Sequence, residues 1–359
     1  MEKVKVGASE FIKLNFKKNI LIKKNVQIVI SFVLIFFVCS CINRKTENGW
    51  AEIGLKEKVK SFSEFSYEAT ERFDKIEKGK RKRTNPSIND YQNKYDKNGN
   101  LIARKVFNLD GVKLWNFTYK YDKNDNLFES NYYGAEGDLV SKETYKYNES
   151  NNLIEYNYYH AKFNFNNKEI YKYDEKENLI ESKYYNEKDS LKSKEIYTFD
   201  KRNNLIEAYY YNAKHKLISK ETYKYDENDN KKEYCNYNKE GSLTNKKTYK
   251  CNENGNIIEL NRYDSKGNFV GKETHKYDKN RNEIERNKYY LDGSLSYKYT
   301  YRFDKNNNQV ESNYYNRNGR LSEKKEYKYQ YDKNDNWIKK IEFVNEIATF
   351  ILERKYEYY

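Results

Sequence analysis

From Tyr91 onward the chain alternates short apolar-rich runs with polar punctuation. The runs are about eight residues long and rich in Tyr, Ile, Leu, Val and Thr, and clusters of Asn, Asp and Gly separate them. This is the length and composition of strands, with the composition of turns between them. The pattern repeats. The residue before one kind of turn is Tyr95, Tyr121, Tyr147, Tyr173, Phe199, Tyr225, Cys251, Tyr277 and Phe303, every 26 residues, and Tyr331 follows after 28. A second landmark at Phe107, Tyr133, Tyr159, Tyr185, Tyr211, Tyr237, Tyr263, Tyr289 and Tyr315 also recurs every 26. Each unit therefore holds two strands and two turns. Turns this short force neighbouring strands to run antiparallel.

The two turns differ in chemistry. The first reads "DKNDN" or a variant, and its last residue is always Asn: Asn100, Asn126, Asn152, Asn178, Asn204, Asn230, Asn256, Asn282, Asn308 and Asn336. Asn tolerates the left-handed region and hydrogen-bonds its own backbone, so these ten are expected to be turn-forming residues. The second turn carries Gly111, Gly137, Gly241, Gly267, Gly293 or Gly319 at one fixed place. Phe163, Asp189 and His215 replace it elsewhere, and those turns are expected to be looser or differently built.

Pairing Tyr133 with Asp138 puts Glu129 opposite Lys142. Pairing Tyr147 with Asn152 puts Tyr145 opposite Ile154. Both registers place Phe128, Tyr132, Leu139, Tyr145 and Tyr147 on one face, with Leu127, Glu129, Tyr133, Val140, Lys142, Thr144 and Lys146 on the other. Rows of tyrosines and cross-strand Glu–Lys pairs would each add roughly 0.2–1 kcal/mol per pair. The fold expected is all-β: an elongated array of antiparallel hairpins, about twenty strands, forming a twisted or superhelical open meander sheet. The repeats occupy 91–336. Residues 55–90 supply an opening strand and a basic loop, "KGKRKR" from Lys78 to Arg83, and 337–359 a capping hairpin.

The first forty residues read as an address. "VQIVISFVLIFFV" is uncharged, follows Lys23 and Lys24, and ends in "VCSC". A basic region, a short apolar stretch and small residues describe an export signal. Val38-Cys39-Ser40-Cys41 resembles the bacterial lipobox. The resemblance implies a signal peptide over 1–40, lipidation of Cys41 and a linker over 41–54. The uncharged run from Asn25 to Asn43 is also close to the ~20 residues of a membrane span, so a single-pass anchor is the alternative. Both readings place the rest outside the cytoplasm, in the bacterial cell envelope.

The net charge of +14 is concentrated in residues 1–90, and the repeats are nearly balanced. Balanced charge suits a solvated wall, so no nucleic-acid partner is expected.

The units "YKYDKNDNLFESNYYGAEGDL" and "YRFDKNNNQVESNYYNRNGRL" resemble YD repeats of the RHS type, over Tyr91 to about Trp337. The resemblance implies a β-sheet shell or spiral on an exported protein, in some members around a C-terminal toxin. This chain ends on the repeat cap "ERKYEYY", and its array looks too short to enclose a cargo. An RHS-like lipoprotein without a toxin domain is expected.

No catalytic, cofactor or metal constellation emerges. Asp122, Asn124 and Asn126 look like the start of a calcium loop, but Leu127 and Tyr133 stand where that loop needs Gly and Glu. His160, His215 and His275 occupy unrelated repeat positions. Cys235 and Cys251 are expected to be free thiols on opposite faces, with Cys235 opposite Thr244. The recurring Glu129, Glu155, Glu181, Glu207, Glu233, Glu259, Glu285 and Glu311 are expected to pair with lysines. The function expected is a non-enzymatic, membrane-tethered scaffold that binds a glycan or a protein through tyrosines. Candidate ligand-facing residues are Tyr132, Tyr133, Tyr158, Tyr159, Tyr184, Tyr185, Tyr210 and Tyr211. The alternatives are an accessory or immunity-like protein of an RHS-type toxin system and an anchored surface adhesin.

Overall fold

The computed structural model describes residues 49–52, 54–73, 75–82 and 90–359. The export leader, Cys39 and Cys41 lie outside the described residues. A one-turn helix, α1 (Gly49–Glu52), precedes 23 strands in one antiparallel sheet. The first are β1 (Val59–Arg72), β2 (Lys75–Arg81), β3 (Asp90–Tyr95), β4 (Leu101–Phe107), β5 (Lys113–Tyr121), β6 (Leu127–Tyr133), β7 (Leu139–Tyr147), β8 (Leu153–His160), β9 (Phe165–Tyr173) and β10 (Leu179–Tyr185). The last two are β22 (Trp337–Val344) and β23 (Ile347–Tyr358). Part of the expected basic loop is strand, since Lys78 to Arg81 belong to β2 and pair with β1.

The sheet is closed, which overturns the expected open meander. From β3 to β23 each strand pairs with the next. β1 then pairs with β23 on one edge and with β3 on the other, so 22 strands form a ring. β2 extends β1 outside that ring, from Tyr67↔Arg81 to Arg72↔Lys75. Closure removes the unpaired edges that an open array would have to protect. It also corrects the expectation that the array is too short to surround anything.

The register explains the closure. Lateral partners run Asn93, Arg104, Phe117, Tyr132 and Ser141, so two strands advance the chain by 24 residues, from 93 to 117 and from 117 to 141. The sequence unit is 26, so every hairpin staggers by two residues. Around the ring this accumulates a shear of about 24 residues and a strand tilt of about 35–40°, within the range closed barrels adopt. Strand spacing and shear together give a barrel about 40 Å across.

The expected register was off by two residues. Glu129 faces Thr144, Lys142 faces Asn131, Tyr145 faces Tyr156, and Cys235 faces Lys246. One residue of the offset is a bulge beside each turn: Lys120 pairs with Glu129 but Tyr121 pairs with Leu127, leaving Phe128 as the extra residue. The other is a turn one residue longer than expected, since Tyr147 pairs with Leu153 and not with Asn152. A two-residue slip preserves parity, so the division into faces survives away from the bulges. The faces have different environments. Tyr156, Tyr171 and Tyr197 on the aromatic face are 8 %, 6 % and 9 % exposed. The lysines of the other face, such as Lys146 and Lys224, leave 64 % and 71 % of their side chains in water. Side chains converge on the concave side of a closed sheet and splay on the convex side. The direction of the stagger, combined with the right-handed twist of strands, agrees. The aromatic face is the interior.

The turns depart from expectation in one respect. In "DKNDN" the left-handed residue is Asp125 (φ 63), not Asn126. Asp125 N–H donates to the Asp122 carbonyl and Asp122 N–H to the Asn126 carbonyl, a type I turn closed by a left-handed residue. Asn126 serves as a connector. Its N–H donates to Asp122 Oδ1, and its Nδ2 donates to Asp122 Oδ2 and, across to the next turn, to Asn151 Oδ1 at 2.8 Å. Asn100, Asn178, Asn204 and Asn282 make the same lateral bond, to Asp125, Asn203, Asp229 and Asn307. A girdle of amide bonds thus runs along one rim.

In the second turn Gly137 takes the left-handed place (φ 96), as expected. Asp189 (φ 50) and His215 (φ 57) adopt the same conformation and hydrogen bonds, so those two turns are not differently built. The Phe163 turn is. It is a 3-10 turn, Ala161–Phe163, with Asn164 left-handed.

The ring closes on a seam where unrepeated residues meet the first and last repeats. Phe62 and Val59 are buried with Leu55 and Tyr95, and Phe62 packs against Tyr91, Tyr95 and Tyr356. Full burial of one such ring contributes roughly 1.5–3 kcal/mol. Asn336 clamps the entering chain: its Oδ1 accepts Lys56 N–H and its Nδ2 donates to the Lys56 carbonyl, both at 2.8 Å. Inside, the Arg354 guanidinium stacks 3.8 Å over Trp337 and pairs with Glu64 at 2.7 Å.

Candidate functional site: the tyrosine-lined interior

Alternation along each strand decides which candidate residues share a surface. Tyr132, Tyr158, Tyr184 and Tyr210 lie on the interior face, and each is half-buried. Tyr133, Tyr159, Tyr185 and Tyr211 lie on the outer wall. The eight candidates therefore form two rows on opposite sides of the sheet, and no single ligand can use both.

Below the interior tyrosine row lies a row of carboxylates that is absent from the sequence-predicted candidates. Glu143, Glu169, Glu195 and Glu221 recur every 26 residues on alternate strands. Tyrosine hydroxyls hold them. Glu143 accepts from Tyr145 at 2.6 Å, Ser130 at 2.9 Å and Tyr156 at 3.2 Å. Glu169 accepts from Tyr171 at 2.6 Å, and Glu195 from Tyr197. Glu221 accepts from Tyr223 at 2.5 Å, Tyr234 at 2.7 Å and Tyr210 at 3.0 Å. None of the four has an ion-pair partner among the described residues. Burial pushes the Glu169 and Glu195 carboxyls above the ordinary range, against the opposing pull of the tyrosine bonds. Burial likewise pushes the phenols of Tyr145, Tyr156, Tyr171, Tyr197 and Tyr223 far up, so they stay neutral donors. The same 26-residue count that exposed the Glu129 row would have found this one.

The rest of the interior has a different character. Arg262 pairs with Glu273, and Glu283 bridges His275 (2.5 Å) and Arg286 (2.6 Å). His160 packs its ring against Phe163. His215 stands in an exposed turn. The three histidines do not meet.

The Glu129 row lies on the outer wall, paired with lysines as expected from Glu129 to Glu285, while Glu311 pairs with Arg302. Glu129 bridges Lys120 (2.8 Å) and Lys142 (2.7 Å), Glu233 bridges Lys224 and Lys246, and Glu285 bridges Lys276 and Lys298. Hydrogen bonds from Lys120, Lys142 and Asn131 lower the Glu129 carboxyl to about 2. Such a wall faces water. A lipid-facing lysine costs about 2–4 kcal/mol at mid-membrane, and this wall carries one on most of its strands. The Asp122 carboxylate spends both oxygens on its own turn. Cys235 is buried in the outer wall and Cys251 lies on the interior face. Both are free.

No family model and no curated protein matches the chain. Likeness to solved structures is weak. The TcdB2-TccC3-Cdc42 crystal structure aligns at 14% identity and a TM-score of 0.30, over 77% of this chain and 16% of that chain. A Photorhabdus luminescens Tc holotoxin pore aligns at 8% identity and a TM-score of 0.22, over 73% of this chain and 19% of that one. A porin-like protein from Bacteroides uniformis aligns at 7% identity and a TM-score of 0.30, over 84% and 99%. This chain thus spans under a fifth of the Tc chains it matches. Similarities this low carry no argument about what the protein does.

Proposed function

We propose that the protein is a non-enzymatic lipoprotein of the bacterial cell envelope, tethered at Cys41, whose barrel binds a glycan along its interior. The observation that carries this reading is the paired interior rows. Half-buried rings at Tyr132, Tyr158, Tyr184 and Tyr210 lie above the fixed acceptors Glu143, Glu169, Glu195 and Glu221. Aromatic faces stack on the apolar faces of sugar rings, and carboxylates accept from sugar hydroxyls. Both rows repeat every second strand, about 10 Å apart, so they suit a ligand that itself repeats.

The test is a glycan and protein array probed with the detergent-solubilised full-length protein. Glycan binding is expected, and Tyr184→Ala with Tyr210→Ala should abolish it. Tyr133→Ala with Tyr211→Ala on the outer wall should leave it intact. An array without a glycan hit, or equal loss from both pairs of substitutions, defeats the proposal.

A further inference from the structure

A wall of near-identical hairpins has no preferred place unless the repetition fails. It fails at β8–β10. In six outer-wall units, the lysine thirteen residues after the recurring glutamate returns to it: Lys142 to Glu129, Lys194 to Glu181, Lys220 to Glu207, Lys246 to Glu233, Lys272 to Glu259 and Lys298 to Glu285; in the last unit Arg302 serves Glu311 and Lys324 pairs with Glu326 on its own strand. Lys168 is the lysine that should return to Glu155. It turns away and pairs with Asp189 at 3.0 Å. Asp189 stands where six other units have Gly. The adjoining β8–β9 connection is the 3-10 turn described above. At this break the wall opens into a cavity of about 530 Å³, lined by Glu155, Tyr159, Asn166, Lys168, Asn186 and Asp189 among others.

We propose that this cavity is a binding site for an uncharged saccharide unit. It opens on the outer wall, and of the interior rows only Tyr158 borders it. The chemistry follows from what is paired and what is not. Asp189 neutralises Lys168, Lys146 neutralises Glu155, and Glu129 neutralises Lys142. An anion would have to break one of these pairs to gain its own. Glu187, the one carboxylate of the lining without an ion pair among the described residues, stands exposed in the turn, and the remaining polar groups are neutral and mix donors with acceptors. Glu155 uses Oε1 for both Lys146 and Asn157, leaving Oε2 without a partner among the described residues. The Asn186 Oδ1 caps its turn while its amide is unclaimed, and Asn166 makes no side-chain bond among the described residues. Tyr159 adds a ring and a hydroxyl. A ligand that offers hydroxyls as both donors and acceptors, with an apolar face for the ring, satisfies all of these. The volume lies in the range of small-ligand pockets.

Asp189→Gly tests the site, because Gly is this chain's own commoner residue there and the backbone is already left-handed (φ 50). It frees Lys168 to return to Glu155 and close the cavity. Full-length protein is titrated by saturation-transfer NMR with glucose, galactose, N-acetylglucosamine and their β-1,4-linked dimers. Glucosamine and glucuronic acid serve as charged comparators. At least one neutral sugar should bind with a Kd of about 1 mM, the range of a small single site. Asp189→Gly and Glu155→Gln should each weaken it about tenfold or more, with the thermal midpoint of Asp189→Gly unchanged or raised. Tyr184→Ala in the interior should not alter it. Absence of neutral-sugar binding overturns the proposal, as does preference for a charged sugar, or full affinity in Asp189→Gly. Loss of array binding with this site intact would defeat only the interior reading.

Discussion

The amide girdle lacks its lateral bond at Asn152, Asn230 and Asn256, and repairing one should stabilise the barrel measurably. Asn256 Nδ2 is buried without an acceptor, and so is Asn152 Nδ2. Two substitutions coincide at each. The first turn residue is Asn252 or Asn148 instead of Asp, so the oxygen that receives the amide within other turns is absent. The left-handed residue of the following turn is Arg281 or Glu177 instead of Asp or Asn, so the lateral acceptor is absent too. Asn252→Asp supplies the first acceptor, as Asp122 does for Asn126 Nδ2 at 3.2 Å. Arg281→Asn supplies the second, as Asn307 does for Asn282 at 3.1 Å. Arg281 is exposed and already left-handed (φ 67), a conformation Asn adopts more readily than Arg. Leaving a buried donor unsatisfied costs about 1–3 kcal/mol. Either change alone should therefore recover about 1–2 kcal/mol, or a rise of about 2–5 °C in Tm for a domain this large. The double mutant should gain less than the sum, because the first acceptor removes most of the penalty. Asp226→Asn provides the converse. Asn230 depends on Asp226 alone, since Gly255 offers no lateral acceptor, so the substitution should recreate the defect and cost a similar amount. Differential scanning calorimetry at one scan rate reads all four variants against wild type. Unchanged midpoints in both single repairs, together with an Asp226→Asn protein as stable as wild type, would refute the girdle's energetic role.

Three further outcomes follow from the same geometry. Glu129 is depressed to about 2 from an ordinary 4.5, so its contribution is present above about pH 4.5 and disappears as pH falls through about 2; Glu195 is shifted upward, so its penalty grows as pH rises. Denaturant titrations should show wild type losing stability from pH 4.5 to 2, and Glu195→Gln gaining stability at pH 7 but not at pH 4. Asn336→Ala removes both bonds to Lys56, should cost about 2–3 kcal/mol, and should raise amide exchange in β1 and β23 before other strands. Deleting one unit, residues 205–230, should leave a folded 20-strand barrel with about a tenth less diameter by small-angle scattering, because strand number and stagger fall together and the tilt is kept; aggregation or an unpaired β1 would contradict this.

Much of this architecture was legible in the sequence. Strand spans followed from apolar runs between turn residues, and the two faces followed from alternation. Closure was not legible, because it is decided by β1 pairing with both β3 and β23; nor was the exact register, which depends in part on the bulges at Phe128, Ile154 and their equivalents. A bulge leaves no compositional mark: Phe128 is as apolar as its paired neighbour Leu127. The role of the recurrent Asn was misread for a similar reason. Its invariance pointed to its own backbone, whereas the left-handed place belongs to the variable residue before it, and Asn126 is fixed by partners on both sides. The interior Glu143 row was visible by counting, but a carboxylate in a tyrosine-rich strand reads as exposed until closure places it inside.

The repeated and the unrepeated residues divide the labour. Each hairpin contributes the same stagger and tilt, so repetition alone would wind a sheet of any length without deciding where it ends. The end is decided where residues that occur once meet the first and last units. Phe62 meets Tyr91, Tyr95 and Tyr356, and Asn336 grips Lys56. The closing hairpin also carries Arg354, over Trp337 and against Glu64. The same logic applies to recognition. Ten equivalent turns and rows of equivalent ion pairs give a ligand no reason to choose one position on the outer wall. The diversion of Lys168 to Asp189 supplies one, since a single residue exchanged for the usual Gly moves a cation by one strand and leaves Glu155 with an oxygen to offer.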